Sequence, residues 1–379
     1  MAEVTMRDVA KAAGVSEATV SYVVNGHTHR VSAKTRERVL AAIAALRYTP
    51  NTIARSLASQ TTWTIGLVVS DVVRTPYTSA IKGVERVAVR CGYQVILCNA
   101  DDNSARLAQA SAVLAAKRVD GAVFALSSRQ DEDLPINQLV EMNIPVVVIN
   151  RRPKEPTIPC FLIDNASGTY QLTKQLIALG HRRIACIHLP AAGTRATTAA
   201  IERLAGYKQA LLDHGLAVNP DWCRTGAPGE EMGDNIGFQH AVSLLRQPAR
   251  PTAFVCCNDY LAFGVIRACT ALGLRVPADV SVVGHDNTSA SRYFHPKLTT
   301  AEQPMLAAGE QATHMLVELM RQKTGRPLKE GGAHPYQAQS SEGSDETARV
   351  SVVVEPQEKD VYRLPCELVM RESIGPYKE

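Results

Sequence analysis

The sequence lacks the spacings that mark a disulfide scaffold, a zinc site or a common enzyme. Its nine cysteines include no C-x-x-C pair, and several lie inside apolar runs, which predicts reduced thiols. There is no G-x-S-x-G, no phosphate-binding glycine loop, and residues 226–233 do not match G-x-G-x-x-G. We therefore expect no metal, no cofactor and no catalytic residue.

Long apolar runs are also missing. No stretch approaches the ~20 residues that span a bilayer, and the N-terminus has no basic-then-apolar signal segment. With 379 residues, 45% of them hydrophobic and 21% charged, the chain suits a soluble protein of two or three domains. We expect it to be cytoplasmic.

An excess of charge is missing from most of the chain. Residues 1–60 hold eight Lys and Arg against four Asp and Glu, which accounts for the whole net charge of +4. The remaining residues balance to zero. A solvated basic face would explain this, but a small basic head is also what contact with nucleic-acid phosphates requires.

The basic head contains two short helical patterns joined by a glycine. Residues 6–13 place apolar side chains on one face, Gly14 permits a tight turn, and Ser16 is a good N-cap for a second helix over residues 17–24. This arrangement predicts a helix-turn-helix, whose second helix fits the DNA major groove. Its outer face carries Glu17, Ala18, Ser21 and Tyr22.

A third helix and a short helical run follow. Ser32 is a candidate N-cap, and Val39, Ile43 and Leu46 have the spacing to close a three-helix core. Residues 52–58 form a run too short to hold a helix unaided.

The strings DVAKAAGVS, TVSYVVN, VSAKTRERV and YTPNTIARSLA, in one register, resemble the DNA-binding head of the LacI/GalR family. The resemblance implies that Glu17, Ala18 and Tyr22 read base edges of a pseudo-palindromic operator in double-stranded DNA. The bland alternatives are a three-helix module that never touches DNA and, for Tyr48, a packing role. The polar residues placed for phosphate contacts are Thr5, Ser16, Thr19, Ser21, Asn25, Arg30, Ser32, Thr35, Tyr48 and Asn51.

In that family the short run is a hinge helix, which forms when two copies pair on DNA. The resemblance makes Leu57 the residue inserted into the minor groove and Ala54 the small residue beside it. Packing of Leu57 on the body of the protein is the alternative. The expected partners are operator DNA and a second copy of the chain.

The body shows two successive runs of alternating strands and helices. Near-continuous Val, Ile and Leu strands indicate parallel sheets covered on both faces. The expected fold is an all-α helix-turn-helix head (1–49), a hinge and linker (50–62) and a bilobed α/β core of two doubly wound sheets. We assign residues 63–161 and 292–323 to lobe 1, and 162–291 and 324–379 to lobe 2.

The strings GLVVSD, IDNASGTYQLTKQLIALGHRRIA and LGLRVPADVSVVGHDN resemble the effector-binding core of the same family, which is related in fold to periplasmic sugar-binding proteins. Tyr77, Arg203, Asn258 and Asp286 match its effector positions. The alternatives are helix capping for Asn258 and a structural ion pair for Arg203. Residues 329–362 depart from the family as a Ser/Glu/Gly-rich insertion, in which residues 350–354 resemble an extra strand.

The effector class stays open between a sugar, a nucleoside and a nucleobase. IDNA and HDNTSASRYFHPKLTT resemble purine-binding members, but Thr197, Ala199 and Pro228 stand where those members carry ring contacts. The expected function is a transcriptional regulator, most often a repressor, controlled by this metabolite. The alternative is a sugar-binding receptor on the same bilobed core, which would need export, whereas this chain begins with a DNA-binding head.

Overall fold

The computed structural model describes residues 4–24, 30–49, 61–127, 134–188, 198–226, 233–324, 353–354 and 358–377. These residues form a small helical head and two α/β lobes, each built on its own sheet. The predicted fold class is therefore confirmed.

The head is a three-helix unit. Its core contains Val9, Val20 and Val39, all fully buried and one from each helix. Gly14 has a φ of 62°, the left-handed conformation that the turn between the first two helices requires. The helices are α1 (Met6–Ala13), α2 (Glu17–Val24) and α3 (Ala33–Leu46).

Lobe 1 contains a seven-stranded sheet in the order β11-β12-β5-β4-β3-β1-β2. Its strands are parallel except for the antiparallel pair β11 and β12. The strands are β1 (Thr64–Val69), β2 (Gln94–Asn99), β3 (Gly121–Ala125), β4 (Val146–Ile149), β5 (Cys160–Asp164), β11 (Val353–Val354) and β12 (Val361–Pro365). Its helices are α4 (Thr75–Arg90), α5 (Ser104–Ala116), α6 (Leu134–Glu141) and α11 (Met305–Thr324).

Lobe 2 contains a six-stranded sheet in the order β13-β10-β9-β8-β6-β7, in which β13 is antiparallel. The strands are β6 (Ile184–His188), β7 (Cys223–Thr225), β8 (Ala253–Cys256), β9 (Ser281–His285), β10 (Thr299–Glu302) and β13 (Glu367–Val369). The helices are α7 (Asn165–Ala178), α8 (Thr198–Asp213), α9 (Asp234–Leu245) and α10 (Asp259–Ala271), with short 3-10 turns at Pro220–Trp222 and Ser289–Arg292.

The central strands of each sheet are buried on both faces, as their sequence predicts. Strands β3, β4, β6, β8 and β9 are buried along their whole length, because helices cover each of them on both sides. The carboxyl ends of the parallel strands carry the first polar residues after these runs, which places polar side chains where open α/β sheets bind ligands.

The lobe boundaries differ from the predicted ones. Strand β5 extends to Asp164 in lobe 1, β10 pairs with β9 in lobe 2, and β12 pairs with β5 in lobe 1. The chain therefore crosses between the sheets three times, at 164–165, 302–305 and 365–367. Hydropathy identifies a strand but not its hydrogen-bond partner, so the sequence did not reveal which sheet each of these strands joins.

The insertion also ends earlier than predicted. Val361 and Tyr362 belong to β12 and pair with Cys160 and Phe161, so they are part of the sheet. Val353–Val354 form the extra strand β11, and residues 325–352 and 355–357 lie outside the described residues.

Candidate functional site

Helix α2 presents one polar face outward from the head. Glu17 and Ala18 are exposed and Tyr22 is half-buried, while Val20 and Val23 on the opposite side are buried in the core. The predicted readout face is therefore accessible on the surface of a folded unit.

Hydroxyl residues predicted to contact phosphates lie at the N-termini of the three helices. The Thr5 hydroxyl donates to the Asp8 carboxylate at 2.7 Å. The Ser16 and Ser32 hydroxyls accept from the third backbone N–H of α2 and α3, at 3.2 and 3.3 Å. Helix N-termini carry partial positive charge and unpaired N–H groups, so their positions suit phosphate contacts.

Arg38 closes the helix-turn-helix turn, a role that the sequence analysis missed. Its guanidinium donates to the carbonyl oxygens of Ala13 and Gly14, the latter at 3.2 Å. Arg38 thus has a structural role within the head. The only feature of the sequence that indicates this role is the position of Arg38 on α3, 24 residues after Gly14. The carbonyl oxygens of that turn need hydrogen-bond donors.

The remaining predicted head residues divide into three groups. Thr19, Ser21 and Thr35 are half-buried, and Arg30 is exposed and lies against Tyr22. Tyr48 is 8% exposed and belongs to the head core, so packing accounts for its side chain, and its phosphate contact stays a prediction. The residues that lie outside the described part are Asn25, Asn51, Ala54 and Leu57.

In lobe 2 the structure brings Arg203 and Asp286 together. Arg203, on α8, contacts an Asp286 carboxylate oxygen at 3.1 Å and also donates to the side chain of Asn165 at 3.0 Å and to the Cys257 carbonyl. Arg203 is 7% exposed. Arg203 therefore forms the ion pair named as its alternative role, and its contact with an effector stays a prediction.

Asp286 lies just beyond the carboxyl end of β9, with an unusual φ of 108°. The same carboxylate oxygen accepts from Gln303 at 2.6 Å and from His285 at 3.3 Å. Burial opposes ionisation of Asp286, but Arg203 and His285 outweigh it, and its pKa lies below the usual range. A constrained, ionised carboxylate at this sheet edge can accept hydrogen bonds from a polar ligand.

Asn258 has the capping role that was left open. Its side-chain oxygen accepts from the Leu261 N–H at 2.8 Å, at the start of α10. The next residue, Asp259, is fully buried and accepts from Thr288 and Thr300. Asn258 is next in sequence to Cys257, whose carbonyl accepts from Arg203, so it lies near the Arg203 and Asp286 pair. Its side-chain oxygen caps α10.

Tyr77 belongs to lobe 1, near the start of α4. It is 5% exposed, and its hydroxyl lies in hydrogen-bonding range of Ser70 and Asn150. Burial and the nearby Asp102 carboxylate raise the pKa of Tyr77, so the phenol is neutral.

The same edge of lobe 1 carries residues that the sequence analysis did not single out. The Ser127 hydroxyl donates to Asp102 at 2.6 Å, and the Ser127 N–H donates to the Ser70 hydroxyl at 2.6 Å. Ser70, Asp102, Ser127 and Asn150 all follow the carboxyl ends of β1 to β4. In the sequence, these residues could have been found as polar residues within three positions of the end of a strand.

Within the described part of the chain, no group of three or more His, Cys, Asp or Glu residues could hold a metal ion. All nine cysteines are free thiols. The described helices include none long and apolar enough to cross a membrane.

Two family models match the chain. Residues 5–51 match the bacterial regulatory proteins of the lacI family, and residues 173–333 match a periplasmic binding protein-like domain. The first match spans the helical head, and the second covers most of lobe 2 together with helix α11 of lobe 1.

Curated relatives and solved structures agree with these models. The chain is 38% identical to the HTH-type transcriptional repressor PurR of Histophilus somni (strain 129Pt) over 320 residues, covering 84% of this chain and 93% of that protein. It is 39% identical to PurR of Haemophilus influenzae (strain PittEE), covering 84% and 92%. A lac repressor dimer bound to operator and the anti-inducer ONPF has 29% identity and a TM-score of 0.76, covering 99% of this chain and 100% of that one. A CelR–cellobiose complex has 28% identity and a TM-score of 0.63, covering 98% and 100%. With a matching head, a matching core and relatives above 30% identity along most of its length, the chain belongs to the LacI family of bacterial regulatory proteins.

Proposed function

We propose that this chain is a transcriptional repressor that binds operator DNA and changes its affinity when a small polar metabolite binds between the lobes. The observation that carries the proposal is the single outward face of α2 on an independent, basic head. Such a regulator acts in the cytoplasm, as a binding protein and not as an enzyme.

The exposed pair at the start of α2 supplies base readout. Glu17 accepts a hydrogen bond from cytosine N4, and Ala18 contacts a thymine methyl group. Both side chains are exposed on the face away from the buried valines. Phosphate contacts from the helix N-termini orient the head without reading sequence.

A second copy of the chain completes the DNA-binding unit. Strand β2 lies at the edge of the lobe 1 sheet and leaves Leu97 46% exposed, with Val89 and Val113 exposed on the flanking helices. This apolar edge suits an isologous contact with another copy. The similar lac repressor is a dimer on its operator, and two-fold symmetry doubles the few base contacts of one head.

The hinge connects the lobes to the DNA. Residues 52–58 are too short to be helical alone, so we propose that they order only when two copies meet on DNA. Leu57 then inserts into the minor groove beside Ala54, and kinking a matched site costs a few kcal/mol, which the added contacts offset. Leu57→Ala is expected to weaken specific binding more than non-specific binding, which competition against unrelated DNA measures.

The cleft residues favour a ligand rich in hydroxyl groups. Asp286 and Arg203 in lobe 2, and Ser70, Asp102 and Asn150 in lobe 1, offer charged and polar hydrogen-bonding groups at the carboxyl ends of both sheets. A sugar or the ribose of a nucleoside matches this chemistry. A nucleobase is the second candidate, because the strings IDNA and HDNTSASRYFHPKLTT resemble purine-binding members of the family.

Selection of binding sites from random DNA by the full-length protein tests the DNA half of the proposal. We expect a pseudo-palindrome with two half-sites, because each copy presents one readout helix. Recovery of DNA with no common sequence would contradict specific recognition. Recovery of single, asymmetric half-sites would contradict the dimer.

A thermal-unfolding screen of sugars, nucleosides and nucleobases tests the ligand half. A ligand at about 100 times its Kd stabilises the folded protein by about 2.7 kcal/mol. We expect Asp286→Asn to abolish the shift produced by the best compound. Asp221→Asn, an exposed carboxylate of the same lobe, is the matched control and should retain it.

A further inference from the structure

The head contains an aromatic–cation contact between two separate segments. Arg30 precedes α3, yet its guanidinium carbon lies 5.3 Å from the centre of the Tyr22 ring on α2. Its Nη1 also donates to the Tyr22 hydroxyl at 3.5 Å. Two contacts on one side chain hold the guanidinium on the ring.

The location of Tyr22 determines where this guanidinium lies. Tyr22 follows Ala18 by four residues, one helical turn along the same outward face of α2. Val20 and Val23 fill the opposite, core side of the helix. Arg30, itself exposed, therefore lies beside the outward face of α2 that is proposed to enter the groove.

The chemistry of arginine in this position favours base readout. A guanidinium has five N–H donors in a planar fork, and the Tyr22 hydroxyl uses one of them. A fork held in a fixed plane fits the O6 and N7 acceptors of guanine, the commonest specific contact in the major groove. A phosphate contact needs no such fixed plane.

We propose that Arg30 reads a guanine in each half-site and that Tyr22 is its positioning residue. The proposal rests on the proposed DNA binding and adds a specificity-determining residue to the same interface. It replaces the phosphate role that the sequence suggested for Arg30.

The experiment is competition binding of the full chain to its selected site and to every single-base variant of it, at several salt concentrations. The proteins are wild type, Arg30→Ala, Tyr22→Ala, Tyr22→Phe and Arg36→Ala. Arg36 is an exposed arginine on α3 and provides the matched loss of charge. Thermal unfolding of each variant verifies that the head is folded.

In Arg30→Ala we expect discrimination at one guanine position to fall by about 5- to 150-fold, the loss of one good bidentate base contact. Discrimination at the Glu17 position should remain. Tyr22→Ala should weaken the same guanine preference with Arg30 still present, whereas Tyr22→Phe, which keeps the ring, should retain most of it. Arg36→Ala should leave every base preference unchanged.

Three results would overturn the proposal. A uniform loss across all base variants in Arg30→Ala, with a salt slope lower by about 1, would make Arg30 a phosphate contact. An intact guanine preference in Tyr22→Ala would remove the positioning role. Wild-type protein with no sequence preference would instead refute the proposed function itself.

Discussion

Arg203 and Asp286 form a largely buried ion pair that is also the centre of the proposed ligand site. Burial disfavours charge on Arg203, but Asp286 more than offsets this, and the pKa of the guanidinium lies above its usual value. Each group is the other's ion-pair partner. A ligand at this site must therefore form hydrogen bonds with two groups that are already bonded to each other.

Removing one partner of this pair should destabilise the protein. Asp286→Ala leaves a buried guanidinium without its carboxylate, and we expect the free energy of unfolding to fall by about 3–5 kcal/mol. The double variant Arg203→Met, Asp286→Leu should cost clearly less than the sum of its single changes. A double-mutant cycle from urea unfolding measures this, and additive losses would show that the pair is not coupled.

Two buried groups of lobe 2 should give opposite pH dependences of stability. Burial, with the nearby Asp286, raises the pKa of Asp259 from 3.8 to about 7, so its contribution to stability is lost as pH rises toward 7. Burial, with Arg203 beside it, lowers the pKa of His285 from 6.5 to about 4, so its contribution is lost as pH falls below 6.5. Between pH 5 and 6.5 the two effects oppose each other.

Single substitutions should separate the two. Between pH 7.5 and 5, Asp259→Asn should fall about 2.7 kcal/mol behind the wild-type trend in unfolding free energy, because it lacks the stabilisation that protonated Asp259 provides below pH 7. His285→Gln should show the opposite change. Urea unfolding at both pH values is the measurement, and parallel profiles for all three proteins would exclude these residues as the source.

At the scale of elements, the turn of the helix-turn-helix depends on a residue from α3. Arg38 donates to two backbone carbonyls, and Gly14 supplies the left-handed conformation between α1 and α2. This contact sets the position of α3 relative to the readout helix.

Arg38→Ala should therefore destabilise the head without changing base preference. We expect a loss of about 1–2 kcal/mol, since hydrogen bonds from a charged donor to two carbonyls disappear. The stability of the head is measured by thermal unfolding, monitored through proteolytic cleavage within the head. Arg36→Ala, on the same helix, is the control. A changed base preference in folded Arg38→Ala protein would show that Arg38 also contacts DNA.

The elements also show what the sequence can predict. Periodicity and capping residues located α1 to α3 and most core strands, because these depend on local patterns such as Ser32 before α3. Which sheet β10 and β12 join depends on pairing between segments distant in sequence, and local sequence patterns do not indicate this pairing. The same holds for two contacts in the head, Arg38 with Gly14 and Arg30 with Tyr22, each of which joins separate segments.

At the scale of the whole molecule, the ligand group is connected to the crossovers between the lobes. Gln303, on the second crossover, donates to Asp286, and Cys366, on the third, lies 3.9 Å from the His285 ring nitrogen. A ligand that engages Asp286 would therefore contact a carboxylate that is already hydrogen-bonded to a segment crossing between the lobes. The ligand can shift the equilibrium between open and closed lobes only by the difference between its affinities for the two states.

The central claim is that a ligand in the cleft controls binding of the head to operator DNA. The direct measurement is the Kd of the full chain for its selected operator, with and without a saturating amount of the compound that most raises its unfolding temperature. We expect a change of about 5-fold or more, in either direction, and no change in Asp286→Asn. A bound compound that leaves the wild-type operator Kd unchanged would contradict the account.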